Sequence, residues 1–162
     1  MAQNKHQSSQ FTLQNAWNIL GTWTTAISTP AVAARAVEEV KAVTHVITVP
    51  NDINALQLRA TGTTNNHSEV VDILVARDDN DTFTRIATAT ITIGQQQKKD
   101  NTTLLADTIV LSNTVWPDSK IEALSGADDY QASLWIDLLG HRYVAIAPTT
   151  VNGTLGIEWS GC

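Results

Sequence analysis

The stretch E-V-V-D-I-L-V-A-R (Glu69–Arg77), D-D-N-D (Asp78–Asp81), T-F-T-R-I-A-T-A-T-I-T-I (Thr82–Ile93) decides the fold. Two runs rich in β-branched residues flank four residues that favour turns through their own side-chain hydrogen bonds, which is the pattern of two strands and a connecting turn. In the first run Val71, Ile73 and Val75 alternate with Asp72, so period two places the apolar set on one face. The second run is long and its apolar parity is mixed around Ile86 and Ala87, which predicts a β-bulge there.

The same grammar extends in both directions. Further β-type runs occupy Val43–Val49, Ala55–Thr61, Leu104–Ser112, Lys120–Leu124, Gln131–Leu139, Arg142–Ala147 and Leu155–Ser160, separated by Pro, Asn, Asp and Gly clusters. Leu56, Leu58 and Ala60 alternate with Gln57, Arg59 and Thr61, while Leu155, Ile157 and Trp159 alternate with Gly156, Glu158 and Ser160. The pair Asn152-Gly153 suits a tight primed hairpin turn ahead of the last strand. Thr, Val and Ile make up nearly a third of the chain, and no helix-length segment lies between the runs. Eight or nine short strands at this spacing predict an all-β fold, an antiparallel β-sandwich of jelly-roll-like arrangement.

The sandwich is expected over residues 43–162, and residues 1–42 read as an extended N-terminal arm. The first ten residues are polar and have nothing to bury. Phe11–Ile27 shows neither a clean helical nor a clean strand period and has room for one short strand. Thr29-Pro30 followed by AVAARAVEEVKAV carries the one helical signature: a Thr cap, Pro at the first helical position, and Ala33, Ala36, Val37 and Val40 on one face. Its valines leave an extended segment as the alternative. Phe11, Leu13, Trp17, Ile19, Leu20 and Trp23 are the arm's large apolar side chains, and docking on a neighbouring subunit would bury them. On that reading residues 1–28 can be removed without unfolding the sandwich.

Composition bounds the function. At 162 residues and 17.5 kDa the chain is one domain's worth of protein. Net charge −6 and pI ≈ 5.0 argue against a cationic groove for nucleic acid. Cys162 is the sole cysteine, which excludes an internal disulfide framework and a multi-cysteine zinc site. No apolar run approaches the ~18 residues that span a bilayer, and no apolar segment follows Lys5 as a secretory signal requires. A soluble protein made in the cytoplasm, without membrane or cofactor, is the expectation.

Enzyme motifs do not appear: there is no G-x-S-x-G, no H-E-x-x-H, no phosphate-cradling glycine loop and no closely spaced pair among His6, His45, His67 and His141. The four histidines read as surface or hydrogen-bonded groups. Asp78, Asn80 and Thr82 present oxygen ligands on one turn, the kind a Ca²⁺ ion takes, but the turn lacks the glycine and closing glutamate of a calcium loop and reads first as a solvated turn. Asp128-Asp129 reads the same way. Trp159 falls on the core parity of its strand. Trp135 falls opposite Leu134, Ile136 and Leu138, which leaves it as a subunit contact, a second-face packing residue or a stacking platform for sugars.

Four stretches, NALQLRATGT (Asn54–Thr63), VVDILVARDDNDTFTRIATATITIGQQ (Val70–Gln96), LLADTIVLSN (Leu104–Asn113) and LGHRYVAI (Leu139–Ile146), resemble a group of small β-rich proteins encoded among phage structural genes. The likeness is one of pattern and runs from about Val43 to Ser160. It implies a non-enzymatic virion component of head-decoration or fibre type, localised to the virion. Its partners would be copies of itself, a trimer being the expected state, and a major capsid or other virion protein. The alternative is a carbohydrate-binding module for host-surface attachment.

Overall fold

A computed structural model describes residues 17–28, 31–62, 67–93, 108–124 and 132–161. Among the described residues ten strands and one short helix follow one another: β1 (Asn18–Trp23), α1 (Val37–Lys41), β2 (Val46–Thr48), β3 (Ala55–Gly62), β4 (His67–Ala76), β5 (Thr84–Ile93), β6 (Thr108–Ser112), β7 (Ile121–Leu124), β8 (Ser133–Asp137), β9 (Tyr143–Thr150) and β10 (Leu155–Gly161). They form two five-stranded antiparallel sheets, β1-β10-β3-β8-β7 and β2-β9-β4-β5-β6.

The pairings follow one rule. β1 pairs with β10, β2 with β9, β3 with β8 and β4 with β5, so the first half of the chain pairs with the second half in reverse order, like a long hairpin. Rolling that hairpin brings β10 against β3 and β9 against β4. The result is the eight-stranded jelly roll, here with β6 and β7 inserted between β5 and β8, one added to the edge of each sheet. The sandwich expected from the strand spacing is therefore the observed architecture.

The core lies between the sheets. Leu56, Leu58 and Ala60 of β3, Val71, Ile73 and Val75 of β4, Leu134 and Ile136 of β8, and Leu155 and Ile157 of β10 all point into it, as their alternation requires. Trp159 packs against it from the periphery. The expected bulge is present: Ile73 pairs with Ala87 and Leu74 with Arg85, which leaves Ile86 as the extra residue and turns both Ile86 and Ala87 inward.

Three expectations change. First, the described part of the segment read as an arm, residues 17–28 and 31–42, is built into the sandwich. β1 is an edge strand of the first sheet, Trp23 is buried at 5% exposure, and Val32, Val37 and Val40 bury under a second apolar cluster outside the other sheet. A cut at residue 28 would remove a strand, because Trp23 and Leu20, which the sequence reading assigned to a neighbour, find their burial within the chain. Phe11, Leu13, Thr29 and Pro30 lie outside the described residues.

Second, the helix is confined to Val37–Lys41. Ala34 sits at φ 61 and Ala36 is extended at φ −69, ψ 155, so no continuous helix runs from residue 31. Backbone pairing explains the interruption, since Ala34 N–H donates to Phe83 O at 2.8 Å and Phe83 N–H to Arg35 O at 3.0 Å. Third, Asn152-Gly153 makes no primed hairpin turn. β9 and β10 belong to different sheets, and neither residue adopts a positive φ; the connection is an arch between the layers.

Candidate functional site

The outward faces of the first sheet's strands carry the side chains that packing leaves over. On β3, β8 and β10 these are Gln57 and Arg59, Ser133, Trp135 and Asp137, and Glu158. Arg59 pairs across the strands with Glu158 on one side and Ser133 on the other, and Gln57 with Trp135. Arg59 Nε and Nη2 both donate to Glu158 Oε2, at 3.2 and 2.8 Å, and the guanidinium lies 4.1 Å from the centre of the Trp17 ring. A cation over an indole face gains from the ring's quadrupole. Gln57 Nε2 donates to Ser133 Oγ at 3.0 Å.

Of the residues expected to form a contact surface, the structure places three on this sheet's surface. Trp17 is half-buried under Arg59, Ile19 is 81% exposed opposite Glu158, and Trp135 is half-buried between Gln57 and Glu122. The two that point elsewhere are Leu20, which packs against the core, and Trp23, whose Nε1–H donates to Thr44 Oγ1 at 3.1 Å while Thr44 in turn donates to Ile146 O at 2.9 Å. Arg59 and Glu158 did not stand out in sequence. Their signal was the polar parity of two strands, which identifies a face but not which strands become neighbours. The surface offers amide, guanidinium and carboxylate groups between two indoles, a set suited to stacking and hydrogen bonding with a flat partner.

The acidic turn uses its own oxygens. Asp78 Oδ1 accepts from Asn80 N–H at 2.9 Å, Asp81 Oδ2 from Arg77 N–H at 2.9 Å, and Asp81 Oδ1 from Thr82 N–H at 2.8 Å. The Arg77 and Thr82 amides hold the Asp81 carboxyl below its ordinary 3.8. Asp78, Asn80 and Thr82 are exposed, and among the described residues no group of three His, Cys, Asp or Glu is placed to hold a metal ion. Asp128 and Asp129 lie outside the described residues.

The histidines divide. His45 is exposed and meets Trp23 edge-on, 5.1 Å between centroids, beside a threonine-lined groove of about 400 Å³. His141 Nδ1 contacts Leu138 O at 2.9 Å, and its ring packs against Trp116. The His67 side chain is 8% exposed, its Nδ1 joined to Glu69 Oε1, while Glu69 Oε2 accepts from Asn152 N–H at 2.6 Å. Glu69 is fully buried, and among the described residues His67 Nε2 has no hydrogen-bond partner. This pair bolts the start of β4 to the arch between β9 and β10. Sequence reasoning passed over Glu69, although it shares the core parity of Val71 and Ile73. A buried carboxylate is costly without partners, and the arch that supplies one comes from residues 83 positions away in the chain.

Among the described residues no helix is long and apolar enough to cross a membrane. No family model, curated protein or solved structure matches the chain.

Proposed function

We propose that this chain is a non-enzymatic structural protein of a phage virion, decorating or stabilising the capsid or forming a fibre. The observation that carries the reading is the rolled strand order, an architecture used by viral capsid domains and by lectins. Exposed apolar residues on edge strands, Ile19 at 81% and Val110 at 61%, support it, because such residues serve contact better than solvation. The resemblance of four stretches to phage structural proteins points the same way. Its partners are copies of itself and a capsid or other virion protein, and its place is the virion, after synthesis in the host cytoplasm.

Purified particles provide the test. The protein is expected in many copies per particle by quantitative mass spectrometry, and a chain lacking residues 1–16, which keeps β1, is expected to fold yet attach poorly. Absence of the protein from particles overturns the reading. Carbohydrate binding is the second reading, favoured by Trp135 lying half-buried beside Gln57 and Glu122 on an open polar face. Saturable glycan-array binding that disappears in Trp135→Ala would select it.

A further inference from the structure

A two-layered sandwich has four sheet edges, and an unprotected edge is a template for another strand. Here the four differ. β1 is kinked by a register shift between Ile19 and Gly21. β2 is three residues long. β7 is four residues long and carries the exposed Glu122. Each has a feature that discourages pairing: a bulge, shortness or a charge.

β6 has none of these. Its sequence is T-I-V-L-S over Thr108–Ser112, without charge, proline or glycine, and it pairs with β5 in unbroken register from Thr88↔Ser112 to Thr92↔Thr108. Among the described residues nothing pairs with its other edge. Val110 stands at its centre, 61% exposed. Ile109 and Leu111 point inward but are only partly buried, and each borders a groove that opens on this flank. One, about 440 Å³, lies between Leu111 and Ile121; the other, about 330 Å³, lies between Ile109 and Leu124.

We propose that β6 is the edge through which two copies of this chain pair, strand against antiparallel strand, about a two-fold axis at Val110. The occupant is a second copy for two reasons. Charge is the first: a chain of net charge −6 repels itself, and β6 is an edge strand where two copies meet without bringing charges together on the strand. Self-complementarity is the second. Reversal about Val110 sets Thr108 opposite Ser112, Ile109 opposite Leu111 and Val110 opposite itself, so hydroxyl meets hydroxyl and aliphatic meets aliphatic. An isologous contact requires such a match. The inward Ile109 and Leu111 of each copy then continue the other's apolar layer past the grooves, and the second sheet runs through the axis into its counterpart. This pairing concerns the chain's own assembly and stands or falls separately from the virion reading.

Disulfide trapping of the full chain tests it. Antiparallel strands place directly opposed Cα atoms about 4.5–5.5 Å apart, within reach of a disulfide. With Cys162 changed to Ser, Val110→Cys is expected to oxidise to a covalent dimer at least ten times faster than Ile19→Cys or Val43→Cys, both at exposed positions away from β6. In parallel, light scattering is expected to show wild type as a dimer and Val110→Lys with at least tenfold weaker association. Circular dichroism shows whether each variant keeps its fold, and Val110→Thr, of similar size and uncharged, is expected to stay dimeric. Selective trapping at residue 110 supports the proposal. Trapping no faster than at the control positions, a dimer or trimer indifferent to Val110→Lys, or a wild type monomeric throughout overturns it.

Discussion

The two sheets turn different outer faces to their surroundings. Over the second sheet, residues 27–28 and 31–42 run across the strands, and Val32, Val37 and Val40 meet Leu74, Ala76, Phe83, Ala145 and Ala147 in a second apolar cluster. The first sheet has no such cover among the described residues and presents Arg59, Glu158, Gln57 and Trp135. Sequence parity accounts for the difference. β3 alternates strictly, with Leu56, Leu58 and Ala60 inward and Gln57 and Arg59 outward, while β4 is buried at every residue from Val71 to Ala76. An alternating strand can tolerate water on one side, whereas a strand apolar on both parities needs a second layer. The segment that supplies this layer is tied down by Ile27 N–H to Pro148 O at 2.6 Å and by the backbone pairing with Phe83.

That contrast can be broken by mutation, and the largest effect is expected at Phe83. It is among the largest fully buried side chains and belongs to the covered face. Phe83→Ala should destabilise the chain by ~3–5 kcal/mol in denaturant unfolding; a cost below about 1 kcal/mol would mean that the cover is no true second core. Thr88→Val comes next. Thr88 Oγ1 donates to the buried Asp72 Oδ1 at 2.6 Å on the same sheet, and removing the hydroxyl deprives a buried carboxylate of one donor at a cost of ~1–3 kcal/mol. A neutral result would show that water reaches Asp72 and that the cover ends short of it. The smallest effect belongs to the open face. Arg59 and Glu158 keep 26% and 22% of their side chains exposed, and a double-mutant cycle with Arg59→Ala and Glu158→Ala should give a coupling of about 1 kcal/mol or less. A coupling several times larger would mean that this face is as desolvated as the other, and the contrast would fail.

How much of this was legible beforehand varies with the range of the interaction. The strands from β2 to β10 each overlap an expected run, although β4 starts two residues earlier and β9 ends three residues later than its run, and the bulge at Ile86 announced itself through two consecutive inward residues. Trp135 was assigned to the outer parity of its strand, where it lies. Trp23 was misread, because its burial depends on Thr44 and Ile146, residues brought to it by the pairing of β1 with β10 and by the path of the following segment. Glu69 was overlooked for a similar reason: its partner Asn152 belongs to an arch between sheets that local turn chemistry had cast as a hairpin. The helix expected after Pro30 is shorter than its valine spacing suggested, since backbone bonds to Phe83 hold Ala34 and Arg35 out of helical register.

By itself the sequence determined the runs that became β2 to β10, the inward face of β3, β4, β8 and β10 and the class of the fold, because side-chain alternation and turn-forming residues act over a few neighbouring positions. Only the tertiary structure decided which strands became neighbours, that residues 17–28 and 31–42 belong to the domain, and which strand edges are unpaired among the described residues. Strand order depends on contacts between segments far apart in the chain, and the chain's local pattern is the same whichever sheet a strand joins. The second core shows this most directly: the sequence reading placed the apolar set of β4 on one face, and only folding brought Val32, Val37 and Val40 across to bury Leu74 and Ala76 on the other.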